Sequence, residues 1–157
     1  MARGRIIGGL GSPHAPSIGV AYNTGKHDTP AWKPLFDGYW PMQKWLAAKQ
    51  PDLIVIVAND HANSFFFDRY PTFAMSVAAE HEIADEGWGK WPLPPVPGHP
   101  DFAWQLAHSL VDQEFDMAVC QEFPLDHGCL TPLTCFFPPE KRWSVPAASK
   151  LATSLAA

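Results

Sequence analysis

Within residues 52–59, DLIVIVAN, positions 53–58 make an unbroken apolar run rich in β-branched side chains. Without polar alternation, such a run suits a strand covered on both faces, as in a parallel sheet. The run stops abruptly at Asn59, Asp60 and His61. A buried strand that leads straight into polar groups presents them at its carboxyl end, where open α/β sheets gather their ligands.

Elements of both kinds surround this run. RIIGGLG, residues 5–11, is a short apolar stretch closed by glycines and is expected as a second buried strand, with SPHAPS after it as loop. Met42, Trp45, Leu46 and Lys49 recur at helical spacing between Tyr39 and Gln50. Pro41 is tolerable there only in a first turn, and Pro51 ends the run. PTFAMSVAA (71–79) and DMAVCQ (116–121) are further strand candidates. Residues 84–98, with four prolines and three glycines, predict an extended loop. Phe102, Ala103, Leu106 and Leu110 mark an amphipathic helix over 100–113 with Pro100 in its first turn, and EFPLDHG (122–128) reads as loop. Strands alternating with helices give the α/β class: a mainly parallel or mixed sheet with helices on its faces and a site at the strand carboxyl ends.

The 157 residues suit one domain, and an apolar fraction of 46% is enough to bury a core. A net charge of −5 with no basic run argues against nucleic acid or an anionic membrane as partner. No apolar stretch approaches the roughly 20 residues that span a bilayer, and MARGRIIGG lacks the apolar core of a secretory signal, so a cytoplasmic protein is expected. Cys120, Cys129 and Cys135 show no CxxC spacing and are expected as reduced, mostly buried thiols rather than disulfides or zinc ligands. Seventeen prolines and seven tryptophans point to rigid, aromatic-lined loops.

Three of the seven histidines fall just beyond expected strand ends: His14, His61 and His127. Imidazole is the commonest nitrogen ligand for divalent transition metals and binds as the neutral base. Asn59, Asp60 and Asp126 stand close enough in sequence to orient those rings or to line the pocket. Each histidine taken alone is also explained by a hydrogen bond to loop backbone. His27, His99 and His108 are expected as solvated or structural residues, His99 as a helix cap. Glu80, His81 and Glu82 read as a solvated charge cluster, since adjacent residues of an extended segment face opposite ways. There is no GxSxG elbow, P-loop or GxGxxG fingerprint. Cys129, two residues after His127, is a weak candidate nucleophile, because a cysteine in apolar surroundings is usually a small core residue.

SPHAP, ANDHANSFF, PTFAMSVAAE, ADEGWG, GHPDFAWQLAHSLVDQEFD and LDHGCLTPL occur in that order. Together they resemble the amino-terminal half of the class III extradiol ring-cleavage dioxygenases, of the protocatechuate 4,5-dioxygenase large-subunit type with its gallate and methylgallate relatives. The resemblance runs from Ile6 to about Val145. It implies that His14 and His61 are ligands of a mononuclear non-haem Fe(II), and that His127 is a catalytic residue beside the substrate. Two imidazoles and one carboxylate on one face of iron would leave positions for a catechol-type aromatic acid and for O2. It also implies a small helical α subunit as partner and leaves self-association into a homo-oligomer open. In these relatives the carboxylate ligand, a glutamate, comes from a second half. Residues 1–146 are therefore expected as the amino-terminal part of one incomplete catalytic domain, with 147–157 an unmatched Ala/Ser-rich tail. Glu122 and Asp126 are the acidic residues here that stand near enough to substitute. Loss of one ligand predicts weak or no activity for the chain alone. Two other classes use the same residues: a non-catalytic metal- or partner-binding module, and a zinc hydrolase with an activated water.

Overall fold

The computed structural model describes residues 4–137 and 150–156. Its elements in chain order are α1 (Pro16–Asn23), α2 (Lys33–Asp37), α3 (Trp40–Lys49), β1 (Leu53–Ala58), β2 (Phe73–Ser76), β3 (Glu80–His81), β4 (Val96–Pro97), α4 (Pro100–Val111), β5 (Met117–Cys120), α5 (His127–Phe136) and β6 (Lys150–Ala156). The class is α/β, with a four-stranded sheet in the order β1-β6-β2-β5 and a two-stranded ribbon of β3 and β4. β1 is parallel to β6, β2 is parallel to β5, and β2 and β6 are antiparallel. Hence β1 and β6 run one way, β2 and β5 the other, and the sheet is mixed.

The helix signals act as elementary chemistry requires. α3 carries Pro41 in its first turn, where no N–H is needed, and ends at Gln50 in the left-handed conformation immediately before Pro51. α4 begins at Pro100 and is capped by His99, whose Nδ1 accepts from the Phe102 N–H at 3.4 Å. Ala103 and Ala107 are buried on its inner face with Leu106 and Leu110 beside them, and His108 is exposed. This stripe packs on Met75, Val77 and Met117 of one sheet face.

The other sheet face meets α5. Ile54, Ile56, Ala58, Ala74, Ala118 and Cys120 pack there against Cys129, Leu130 and Leu133. Asp126 caps α5, its Oδ1 accepting from the Gly128 N–H at 2.8 Å. From His127 to Cys135 every residue but Pro132 is buried. A helix buried all round shows no amphipathic stripe, and Pro132 inside it removes a ladder donor. The sequence pattern therefore gave no sign of it.

The structure departs from four expectations. Residues 5–11 form no strand, and Ile6 is 94% exposed. Gly8 instead lies so close to the Trp45 ring that a Cβ would stand 2.5 Å from it, so the glycine serves a close approach to α3. β1 is covered on one face only, with Val55 43% and Val57 68% exposed, because α4 packs over β2 and β5 and does not extend across this edge strand. His81 is not solvated. Strand alternation leaves Glu80 and Glu82 outside and turns His81 inward at 1% exposure, with Nδ1 3.3 Å from the Phe123 carbonyl. Lys150–Ala156, inside the stretch expected as an unmatched tail, form β6 between β1 and β2; pairing on both sides outweighs a sequence with little strand propensity.

Two predictions follow from this packing. A Cβ at Gly19 would stand 1.9 Å from the buried Trp91 ring. Gly19→Ala should lower the urea unfolding free energy by about 1–3 kcal/mol, whereas Gly9→Ala, with nothing within 4 Å, should stay within about 0.5 kcal/mol. Burial lowers the His81 pKa from its ordinary 6.5. The unfolded chain then binds the proton more readily than the folded one, so stability should fall as pH drops through 6.5. Urea titrations from neutral to mildly acid pH should show this slope, and His81→Asn should flatten it.

Candidate metal centre

The turn after β1 aims the first imidazole. Asp60 accepts from the backbone N–H groups of Asn63 (3.1 Å), Ser64 (3.1 Å) and Phe65 (3.0 Å), which closes residues 60–65 into a tight loop. Ala62 inside it has φ 56°, a left-handed value that costs a non-glycine residue of order 1 kcal/mol and persists only where the surroundings fix it. Asp60 is thus engaged by its own turn and holds no ring.

Asp126 holds the ring. Its Oδ2 accepts from the His61 backbone N–H at 3.1 Å and pairs with His61 Nδ1 at 2.9 Å, while Oδ1 caps α5. The carboxylate is 6% exposed and the His61 side chain 30%. With a carboxylate as acceptor, Nδ1 carries the hydrogen and Nε2 keeps its lone pair, the arrangement that suits a metal-bound histidine. Gly128 makes the approach possible, since a Cβ there would lie 2.9 Å from Asp126 Oδ1, 3.0 Å from His61 Cε1 and 3.1 Å from the Asn59 carbonyl. Asn59 itself is exposed.

His127, the first residue of α5, repeats the device with a different carboxylate. Its Nδ1 lies 2.5 Å from Glu86 Oε1, and its backbone N–H donates to Glu86 Oε2 at 3.0 Å. The His127 and Glu86 side chains are 7% and 9% exposed. His14 stands two residues before α1, part-buried, its ring centroid 5.0 Å from that of His61 and 6.1 Å from that of His127; the His61 and His127 rings are 4.0 Å apart. Burial, and then the neighbouring His61 and His127, lower the His14 pKa from 6.5, which keeps it the neutral base a metal requires.

The three histidines thus meet, by a route other than three strand ends. Only His61 directly follows a strand; His14 and His127 sit at helix amino termini. Segment 121–126 brings His127 back from β5 by pairing with residues 82–84, through Leu125 N–H to the Glu82 carbonyl (2.8 Å) and Ala84 N–H to the Leu125 carbonyl (2.9 Å). His61, Asp126 and His127 each offer a donor atom within 4.8 Å of the others. Because both Asp126 oxygens are already occupied by N–H donors, its position favours orienting His61 over binding an ion. Glu122 is exposed and outside this group. Cys129 is 1% exposed and burial pushes its thiol well above the ordinary range, so it is no nucleophile. Glu86 escaped the sequence reading, since 41 residues separate it from His127 and it stands in a loop read only for its turns.

The model of the catalytic LigB subunit of aromatic ring-opening dioxygenases matches residues 8–156. The chain belongs to this family. It is 40% identical over 82 residues to a 2,3-dihydroxyphenylpropionate/2,3-dihydroxicinnamic acid 1,2-dioxygenase of Azotobacter vinelandii, covering 52% of the chain and 25% of the relative. An enzyme of the same name from Mycolicibacterium vanbaalenii is 36% identical over 95 residues, 60% of the chain and 29% of the relative. A gallate dioxygenase of Pseudomonas putida is 40% identical over 63 residues, 40% of the chain and 18% of the relative. The chain therefore matches about a quarter of the length of the first two relatives. No helix among the described residues is long and apolar enough to cross a membrane.

Gly128→Ala should force His61 and Asp126 apart in this family member. The expected result is a loss of about 1–3 kcal/mol in unfolding free energy together with loss of the hydrogen-bonded imidazole N–H resonance of His61. An unchanged resonance would show that the site tolerates the methyl group.

Proposed function

We propose that the chain forms the metal-binding part of a non-haem Fe(II) extradiol dioxygenase that opens the ring of a protocatechuate-like catechol acid with O2. His14 and His61 are the metal ligands in this reading, and His127 is the catalytic residue beside the diol. The observation that carries it is the His61–Asp126 pair, which directs an Nε2 lone pair outward within 5.0 Å, ring to ring, of a second, neutral imidazole. The family is one of aromatic ring-opening dioxygenases, and the relatives are named for 2,3-dihydroxyphenylpropionate, 2,3-dihydroxicinnamic acid and gallate. The donor set suits iron: imidazole nitrogens bind it well and leave positions for exogenous ligands. Ferrous iron held there would supply a Lewis-acid anchor for both diol oxygens and for dioxygen.

The chain's own residues supply orientation and proton handling. Asp126 fixes the His61 ring, and its cap on α5 fixes the start of the helix that carries His127. His127, with Nδ1 tied to Glu86, holds Nε2 as a base able to accept a proton from a diol hydroxyl. A carboxylate ligand of the kind the resemblance implies would come from outside the residues described. A small α subunit and a cytoplasmic location belong to the same reading.

Anaerobic titration with Fe(II), followed by O2 uptake in the presence of protocatechuate, gallate or 2,3-dihydroxyphenylpropionate, tests it. The expected outcome is Fe(II) uptake that weakens by at least about 10–100-fold in His14→Ala and in His61→Ala, second-shell changes alone already costing that much. Diol-dependent O2 uptake should be slow for the chain alone and rise when the carboxyl-terminal part of a relative is added. Iron uptake indifferent to both substitutions would overturn the ligand assignment. Iron uptake without O2 consumption under either condition would support a non-catalytic binding module instead.

A further inference from the structure

Among the described residues, Glu86 is the one buried carboxylate near the centre that binds neither its own turn nor the loop of His61. Both of its oxygens go to a single residue: Oε1 faces His127 Nδ1 and Oε2 accepts the His127 backbone N–H. Among the described residues His127 is its only hydrogen-bond partner. We infer that Glu86 is the positioning residue of His127, holding its ring as the Nδ1–H tautomer so that Nε2 keeps its lone pair on the side of the ring away from Glu86.

The loop is built to present this carboxylate. Asp85 Oδ1 accepts from the Gly87 and Gly89 N–H groups at 3.0 Å each, and both glycines have positive φ, 94° and 89°, values that L side chains rarely adopt. The pairing of residues 82–84 with Leu125 ties the loop to the segment that enters His127. Glu86 therefore reaches its partner from two sides of one short hydrogen-bonded frame, and little freedom is left to either group. Two N–H donors face two acceptor oxygens. A glutamine of the same shape offers one oxygen and one NH2, so one of the two donors would face a donor. The cheapest relief is for His127 to move its hydrogen to Nε2 and accept from the amide at Nδ1. Glu86→Gln should thus preserve packing while inverting the tautomer.

A consequence for catalysis rests on the proposed function, in which Nε2 takes a diol proton; the tautomer itself does not. The test is long-range 1H–15N correlation of the imidazoles in the metal-free, 15N-labelled full chain, read at the high-pH limit of a pH series, where each imidazole is neutral. His127→Gln identifies the His127 signals by their loss. The wild-type chain should show His127 with a protonated Nδ1 and a bare Nε2, and Glu86→Gln should show the reverse or a mixture. A wild-type spectrum with the hydrogen on Nε2 overturns the inference without any variant, as does a Glu86→Gln spectrum identical to wild type. With the iron-loaded assembly, Glu86→Gln should cut kcat by about 10–100-fold, as loss of a partner to a working histidine typically does, and leave KM within about threefold. An inverted tautomer with unchanged kcat would uphold the positioning role and count against His127 as the proton acceptor, so the two readings fail separately.

Discussion

The carboxylate of Asp126 joins the parts of this structure that most need joining. Through one oxygen it caps α5, and through the other it holds both the backbone and the ring of His61, sixty-five residues earlier in the chain. An N-terminal helix cap contributes about 1 kcal/mol, and a hydrogen bond to a charged group about 1.5–3 kcal/mol. More important than either sum is the geometry. The loop after an edge strand and the start of a buried helix share one rigid anchor, so the imidazole of one is fixed in the frame of the other. Gly128 is the condition for that approach, since no side chain fits between the ring and the carboxylate.

Much of the candidate site was legible in the sequence because polar groups at the end of a β-branched run are conspicuous. DLIVIVAN followed by Asn59, Asp60 and His61 gave β1 and its site residue directly, and the proline and stripe rules gave α3 and α4 almost to the residue. The misses have physical causes. RIIGGLG carries a strand's composition, yet it forms no strand and its Gly8 serves contact with Trp45. α5 hid behind Pro132 and behind burial on every side, which erases the periodicity a reader looks for. His81 was read with its charged neighbours, although the same alternation that sends Glu80 and Glu82 outward must send it inward.

The direction of the strands matters to how the histidines meet. A wholly parallel sheet would have brought them together at one edge. Here β1 and β5 run in opposite senses, and convergence depends instead on a return segment pinned by Leu125 and on the amino termini of two helices. Helix amino termini direct free N–H groups and partial positive charge toward a centre. Both carboxylates at this centre use such N–H groups, Asp126 that of Gly128 and Glu86 that of His127. The positive end of α5 helps to hold both buried carboxylates, neither of which pairs with a lysine or arginine among the described residues.

Those two carboxylates look alike, but the structure loads them differently. Asp126 serves a cap, a turn and a ring together, so any change there mixes folding with site geometry and its effect on chemistry cannot be isolated. Among the described residues Glu86 serves His127 alone, from a loop whose turn is closed by Asp85 and whose glycines already accept the required backbone angles. Removing its charge disturbs one imidazole and one N–H while the Asp126 anchor stays in place. The fold has in this way separated the carboxylate that joins His61 to α5 from the carboxylate that holds His127.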